Sequence, residues 1–231
     1  MGAKRAFAVT SGMTALDVIA RLVQAGDEIV AGNDLYGGTN RLLTFLAKSQ
    51  NIKTHHVDTT KAESVLPYLS EKTKLVLLET PTNPLIRIAD IPTISQYVHD
   101  KCPRALVVVD NTMMSPYLQR PLELGADISY HSATKYLAGH HDLMAGVLGT
   151  RDEAVAEVTF FLLLFYFCVK FIVEKGQKDV EIASLFVVIQ KKTNILTPHY
   201  LSSSNYTTSL MQQVVVWVHL ILGYCYVVSR R

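Results

Sequence analysis

The chain reads as an α/β protein: a mainly parallel sheet flanked by helices. Three features point there. Over residues 1–157, stretches of helical periodicity alternate with short apolar runs. Two of these runs, Leu75–Leu78 and Ala105–Val109, are continuously apolar, as strands covered by helices on both faces must be. Polar and charged residues follow each run at its carboxyl end, where open α/β sheets bind ligands. The alternation implies right-handed crossovers between parallel strands.

The elements follow in order. From Gly12 to Gln24 a helix puts Met13, Leu16, Ile19, Ala20 and Val23 on one face, with Asp17 and Arg21 paired four apart and Ser11 as N-cap. Glu28–Ala31 is a short strand ended by Gly32, Asn33 and Asp34. A helix from Thr39 to Lys48 carries Leu42, Leu43, Phe45 and Leu46. Ile52–Val57 is the next strand, in which His55 and His56 face opposite sides, and Ala62–Leu69 the next helix. The two apolar strands come next, separated by a helix over Ile91–Lys101 that the proline-rich Pro81–Pro84 precedes. Asp127–His131 is a last strand, followed by Ser132, Ala133, Thr134 and Lys135.

Composition bounds the function classes. Of 231 residues, 49% are hydrophobic and 18% charged, which excludes a disordered chain. A net charge of +2 lacks the basic surplus of a nucleic-acid binder. Cys102, Cys168 and Cys225 are too few and too scattered for a disulfide framework or a zinc site, so a reducing, cytoplasmic setting is expected. Met1–Val9 has no apolar core of signal-peptide length. The charge is uneven: residues 1–157 carry net −2 and residues 158–231 net +4, and the second stretch holds only Gly176, Gly223 and Pro198 as glycine or proline. A boundary near residue 157 is expected.

The strand ends hold the chemistry. Leu78 is followed by Glu79 and Asn83, Val109 by Asp110, Asn111 and Thr112, and the last strand by Lys135. At Ser11, Gly12 and Met13 a helix begins, where free N–H groups and the helix dipole favour an anion. An anion site, a carboxylate and a lysine on one sheet edge suggest a phosphorylated, nitrogen-containing cofactor.

These residues carry a resemblance. The stretch His131–His140 resembles the lysine signature of the pyridoxal-phosphate enzymes of cysteine and methionine metabolism, the trans-sulfuration family. Ser11–Met13, Glu79–Pro84, Asp110–Pro116 and Pro121–Asp127 match the same family in order and spacing, so the resemblance covers nearly all of residues 6–150. It implies the fold-type I large domain, pyridoxal 5'-phosphate as cofactor, no metal, an amino-acid substrate and a homo-oligomer. Within the family, Asn111–Ser115 and Asp142–Gly146 resemble cystathionine β-lyases more than γ-synthases or γ-lyases. That implies β-elimination of cystathionine to homocysteine, pyruvate and ammonia, with γ-synthase or γ-lyase chemistry as the alternative.

The resemblance also implies roles. Lys135 attaches the cofactor aldehyde and, once freed by the substrate amine, moves a proton at Cα. Asp110 faces the pyridine nitrogen and keeps it protonated, so that the ring accepts an electron pair. Gly12 and Met13 offer backbone N–H groups to the phosphate, and Ser132 and Thr134 add hydroxyls. Tyr36 stacks on the pyridine ring, leaving its hydroxyl for polar work in catalysis. Asn83 hydrogen-bonds near the cofactor's phenolic oxygen or the substrate carboxylate. His140, His141 and Asp142 are adjacent, and adjacent loop histidines rarely converge on one ion.

The chain departs from the family at both ends. Ten residues precede Ser11, where the family carries a long segment with a Tyr-x-Arg that reaches a neighbouring subunit's phosphate. After Glu157 nothing matches the family's C-terminal domain or its substrate-binding arginine. Residues 193–229 contain no Asp, Glu, Lys or Arg, and Leu210–Val228 approaches membrane-spanning length. A translated intron or a frame change fits this tail best; a tail anchor and a foreign domain are the other readings. The expected consequence is a protein that keeps its cofactor lysine yet retains cofactor weakly and cleaves little substrate.

Overall fold

The computed structural model describes residues 1–174, with side chains to residue 163. The chain divides into two units, Met1–Glu157 and Val158–Arg231. The sheet lies wholly within the first. The sequence readings of residues 175–231, including the apolar stretch Leu210–Val228, lie outside the described residues. Among the described residues no helix is long and apolar enough to cross a membrane.

Seven strands make one sheet: β1 (Arg5–Val9), β2 (Glu28–Gly32), β3 (Lys53–Val57), β4 (Thr73–Glu79), β5 (Leu106–Asp110), β6 (Ile128–Ser132) and β7 (Gly146–Thr150). Their spatial order is β1-β7-β6-β5-β4-β2-β3. The run from β6 to β3 is parallel throughout, and β7 is antiparallel to both β6 and β1. The sheet is therefore mainly parallel, as expected.

Alternation along the strands splits the core into two layers. Leu75, Leu77, Val108, Ile128 and Tyr130 pack on one face with Leu16 and Ile19 of helix α1 (Gly12–Ala20). On the other face Val76, Leu78, Val107 and Val109 pack with Ile94 and Val98 of helix α3 (Ile91–Lys101). Both faces of β4 and β5 are thus dry, which is why neither strand shows polar alternation. Each fully buried Leu, Ile or Val contributes about 1.5–3 kcal/mol as an upper bound, and truncating one such as Leu77 to Ala would cost roughly 2–5 kcal/mol.

Local chemistry sets the helix ends. The Ser11 hydroxyl accepts from the Thr14 N–H at 3.1 Å and caps α1. This helix stops at Ala20 rather than Gln24. Its exit tightens into i→i−3 bonds from Leu22 and Val23, and the Gln24 N–H is taken by the Asp27 carboxylate at 2.8 Å. Helix α2 spans Gly37–Gln50, starting two residues before the predicted Thr39. The predicted helix after Ala62 is a 3₁₀ helix, Ala62–Tyr68, because Pro67 inside it has no N–H to give an α-helical ladder. For α3, Asp90 caps as acceptor from Thr93 at 3.1 Å. A four-residue helix α4 (Ser115–Leu118), a 3₁₀ turn at Pro121–Glu123 and helix α5 (Glu153–Glu174) complete the described elements.

The outcome for function is positional. The carboxyl ends of β2, β4, β5 and β6 share one sheet edge, with Glu79 opposite Asp110 and Asp110 opposite Tyr130 in register. The start of α1 is driven against that edge. A Cβ on Gly12 would lie 2.8 Å from both Cα and Cβ of Ser132, so only glycine allows the approach.

Candidate active site

A cavity of about 590 Å³ opens at this edge. The structure brings all eight residues singled out in the sequence to it. Gly12 and Met13 come from the first turn of α1, and Tyr36 from the residue before α2. Asn83 follows β4 and Asp110 ends β5. Ser132 ends β6, and Thr134 and Lys135 stand in the turn beyond it.

The anion end is made of backbone. The first N–H groups of an α-helix have no intrahelical acceptor, and here they belong to Gly12 and Met13. Crowding at this point is general: a Cβ on Gly146 would sit 2.1 Å from the Ser11 carbonyl oxygen. The Thr134 hydroxyl is engaged with Ala145, accepting from its N–H at 3.0 Å and donating to its carbonyl at 3.3 Å. Thr134 therefore braces the turn carrying Lys135, a task the sequence did not suggest.

The opposite end is acidic. Thr112 holds Asp110, donating to Oδ1 from its N–H at 3.0 Å and from its hydroxyl at 2.5 Å. The same hydroxyl accepts from the Ser132 N–H at 2.9 Å, which links the ends of β5 and β6. Burial pushes the Asp110 carboxyl above its ordinary range, against the pull of Thr112 and Tyr130. The Tyr130 hydroxyl is buried with no partner in hydrogen-bond geometry, yet it lies close enough to feel Asp110. Burial, then the charges of Asp110 and Glu79, push it well above a normal phenol. Acids crowded in one dry place favour a cationic or N–H donor ligand.

One carboxylate lining the cavity, Glu79, was missed as a site residue, and Asp34 lies near enough to act on its charge. Glu79 is 5% exposed and accepts the Tyr36 N–H at 2.9 Å on Oε2 and the Asn83 N–H at 2.8 Å on Oε1. Burial raises it to about 7, with Asp110 adding to the rise and the two N–H groups opposing it. Asp34 accepts from the Thr82 hydroxyl and from the Leu85 N–H at 3.3 Å. The sequence signals for Glu79 were its place at the end of a buried strand and its position at the head of the Glu79–Pro84 stretch.

The Tyr36 ring lies against Gly38 and Met13. A Cβ on Gly38 would fall 2.4 Å from Tyr36 Cε1 and 3.0 Å from Met13 Sδ. Tyr136, His141 and Met144 also line the cavity, and Tyr136 and Met144 are well exposed. His131, behind the site, is buried with both ring nitrogens unpartnered, and burial lowers it to about 4. Among the described residues no group of three His, Cys, Asp or Glu side chains is placed to hold a metal.

Comparison with known proteins decides the family. The profile described as "Cys/Met metabolism PLP-dependent enzyme" matches residues 1–177. The chain belongs to this family. It is similar to the cystathionine beta-lyase of Neurospora crassa, 58% identical over 163 residues that make up 71% of this chain and 36% of that protein. It is also similar to the cystathionine gamma-lyase of Dictyostelium discoideum, 46% identical over 159 residues, 68% of this chain and 41% of that one. Among solved structures, the cystathionine gamma-lyase of Lactobacillus plantarum complexed with L-serine superposes with a TM-score of 0.66 and 41% identity, covering 68% of this chain and 41% of that chain. The chain thus spans about two fifths of the length of these relatives.

The family's cofactor is pyridoxal 5'-phosphate, and the residues present fit it. Glycine at position 12 lets the start of α1 pack against Ser132 at the cavity, which brings the α1 N–H groups to where a phosphate can meet them. Asp110 has Oδ1 committed to Thr112 and a raised affinity for a proton, which suits a pyridine N–H. An exposed lysine, Lys135, stands on the turn between them.

Proposed function

We propose that this chain carries the cofactor-binding half of a carbon–sulfur lyase that cleaves L-cystathionine by β-elimination. The observation that carries the proposal is the meeting of Lys135, Asp110 and the α1 N-terminus on one cavity. The choice of β-elimination is supported by the Asn111–Ser115 and Asp142–Gly146 sequences and by the name of the Neurospora relative.

The bound cofactor supplies an electron sink for the pair left when a substrate Cα proton departs. The chain's residues do the rest. Gly12 and Met13 N–H groups, with the Ser132 hydroxyl, hold the phosphate. The Asp110 carboxylate accepts from the pyridine N–H, and the paired charge repays its burial. The Tyr36 ring would stack on the cofactor ring and help orient it. The Lys135 amine would attach the cofactor and, once released by the substrate amine, would take the Cα proton and pass it to the sulfur that leaves Cβ with the electron pair of the broken C–S bond. Asn83 is in place to donate to the phenolic oxygen or the substrate carboxylate.

A second reading within the same chemistry is γ-cleavage, favoured by the Dictyostelium and Lactobacillus relatives. Incubating the cofactor-loaded chain with cystathionine distinguishes them, because β-cleavage yields pyruvate, homocysteine and ammonia and γ-cleavage yields 2-oxobutyrate, cysteine and ammonia. Pyruvate in excess of 2-oxobutyrate supports the proposal; 2-oxobutyrate in excess of pyruvate refutes it. We further infer association with a second copy, on the exposed Leu85, Ile86, Ile88, Tyr117 and Leu118. A reducing, cytoplasmic setting is supported by the scattered cysteines, of which Cys102 is a buried free thiol.

A further inference from the structure

We propose that Glu79 is a positioning residue whose two carboxylate oxygens hold the loop bearing Tyr36 and the loop bearing Asn83 at one fixed spacing. Tyr36 lies 43 positions from Glu79 in sequence, so nothing local forces this contact. Each oxygen takes one backbone N–H, at 2.9 Å from Tyr36 and 2.8 Å from Asn83. The residue itself is anchored at the end of β4, between β2 and β5 in the sheet, and is 5% exposed. A rigid strand end therefore dictates where two otherwise exposed residues stand.

The surrounding contacts reinforce this role. Tyr36 precedes α2 and makes no side-chain cap, so its N–H depends on Glu79 for a partner, and a carboxylate there also meets the positive end of the α2 dipole. The Asn83 loop is a tight turn closed by Thr82 N–H to the Arg87 carbonyl at 2.9 Å and Ile86 N–H to the Thr82 carbonyl at 3.0 Å. Ile86 sits at φ 55, a conformation a β-branched residue accepts only when its surroundings impose it. Asp34 crosses in the other direction, from the Tyr36 side to Thr82 and Leu85. Two carboxylates thus staple the same pair of loops from opposite sides, and Glu79 is the one that touches the residues lining the cavity.

The consequence for catalysis rests on the cofactor reading above; the staple itself does not. Only the ionised carboxylate has two equivalent acceptors. Glutamine at this position offers one acceptor and turns an NH₂ group toward the other N–H, which releases one loop. Asp110, Asp34 and Tyr130 are the charged or titratable groups that face Glu79 from the neighbouring elements.

Hydrogen–deuterium exchange on the full chain without cofactor tests the staple. In Glu79→Gln, the Tyr36 or Asn83 amide is expected to exchange about tenfold faster or more, as befits loss of a bond to a charged acceptor. The amides of Leu77 and Val108 should not change. Unchanged exchange at both loop amides overturns the proposal, and so does equal acceleration of the core amides. In the unaltered protein, protection of the two loop amides, corrected for intrinsic exchange, should rise between pH 6 and pH 8. This rise should persist in Asp34→Asn and vanish in Glu79→Gln; a flat profile overturns the proposal. With pyridoxal phosphate added, Glu79→Gln should bind it and show a weakened visible circular dichroism; an identical band refutes the link to the site. A chain that shows the staple but takes up no cofactor would leave the positioning intact and refute the cofactor reading alone.

Discussion

Gly37 and Gly38 are adjacent in the first turn of α2, and replacing Gly38 by alanine should weaken cofactor binding while replacing Gly37 should not. Either change removes backbone freedom from the unfolded chain, which stabilises by about 0.4–1 kcal/mol where the native backbone permits it. At Gly37 the new Cβ meets nothing closer than Arg41 at 3.8 Å, so Gly37→Ala should melt at or slightly above the parent temperature and bind cofactor normally. At Gly38 the Cβ would fall 2.4 Å from Tyr36 Cε1, about 1 Å inside ordinary contact, and 3.0 Å from Met13 Sδ. The obstructing atoms are side chains, so the ring swings away and the fold survives. What is lost is the stacking contact, worth about 0.5–1.5 kcal/mol, or roughly a two- to tenfold rise in Kd for pyridoxal phosphate. Titration of each variant by cofactor absorbance, beside a thermal melt, reads both quantities. If Gly38→Ala binds cofactor as tightly as Gly37→Ala, the ring is not where the cofactor rests and the placement of Tyr36 in the site is wrong.

Other expectations are open to direct test. Gly12→Ala drives a Cβ into Ser132 backbone at 2.8 Å, so it should cost about 1–3 kcal/mol of stability and abolish phosphate-dependent binding; unchanged binding would show that the α1 terminus is not the phosphate site. Asp110→Asn should leave some cofactor bound but end turnover, and normal turnover would remove the carboxylate from the mechanism. Glu79 and His131 should oppose each other in apoprotein stability. Glu79, raised from 4.5 to about 7, gives stability that is full below pH 4.5 and lost as pH rises to 7, about 3 kcal/mol, with Asp110 acting in the same direction. His131, lowered from 6.5 to about 4, gives stability present above 6.5 and lost as pH falls to 4. Denaturant titrations from pH 4 to 8 should therefore show a steeper acid loss in Glu79→Gln than in the parent, and parallel profiles would contradict the Glu79 assignment.

Much of this was legible in the chain because the strands at the centre of the sheet announce themselves. Strands β4 and β5 are dry on both faces, so their apolar runs leave little room for another reading. Once they are placed, Asp110 and the turn after β6 follow at the same edge. The two strands at one end of the sheet were not legible: β7 contains Gly146 and Gly149, and β1 is short, with polar flanks. Their pairing comes from a contact some 140 residues apart in sequence, Arg5 with Thr150, which periodicity does not see. The same limit hid the part Glu79 plays. Its partner Tyr36 donates from the backbone, and a backbone N–H leaves no signature in the residue type. The bracing role of Thr134 was hidden for a related reason, since its engagement with Ala145 depends on where the chain returns as β7.

Reduction with borohydride after incubation with pyridoxal phosphate, followed by peptide mapping, tests the site most directly. The cofactor should be found on Lys135, seen as a phosphopyridoxyl mass on a tryptic peptide left uncleaved at that residue, and Lys135→Ala should carry no label under the same conditions. Labelling at another lysine, or retention of the label in Lys135→Ala, would contradict the assignment of this cavity as the cofactor site.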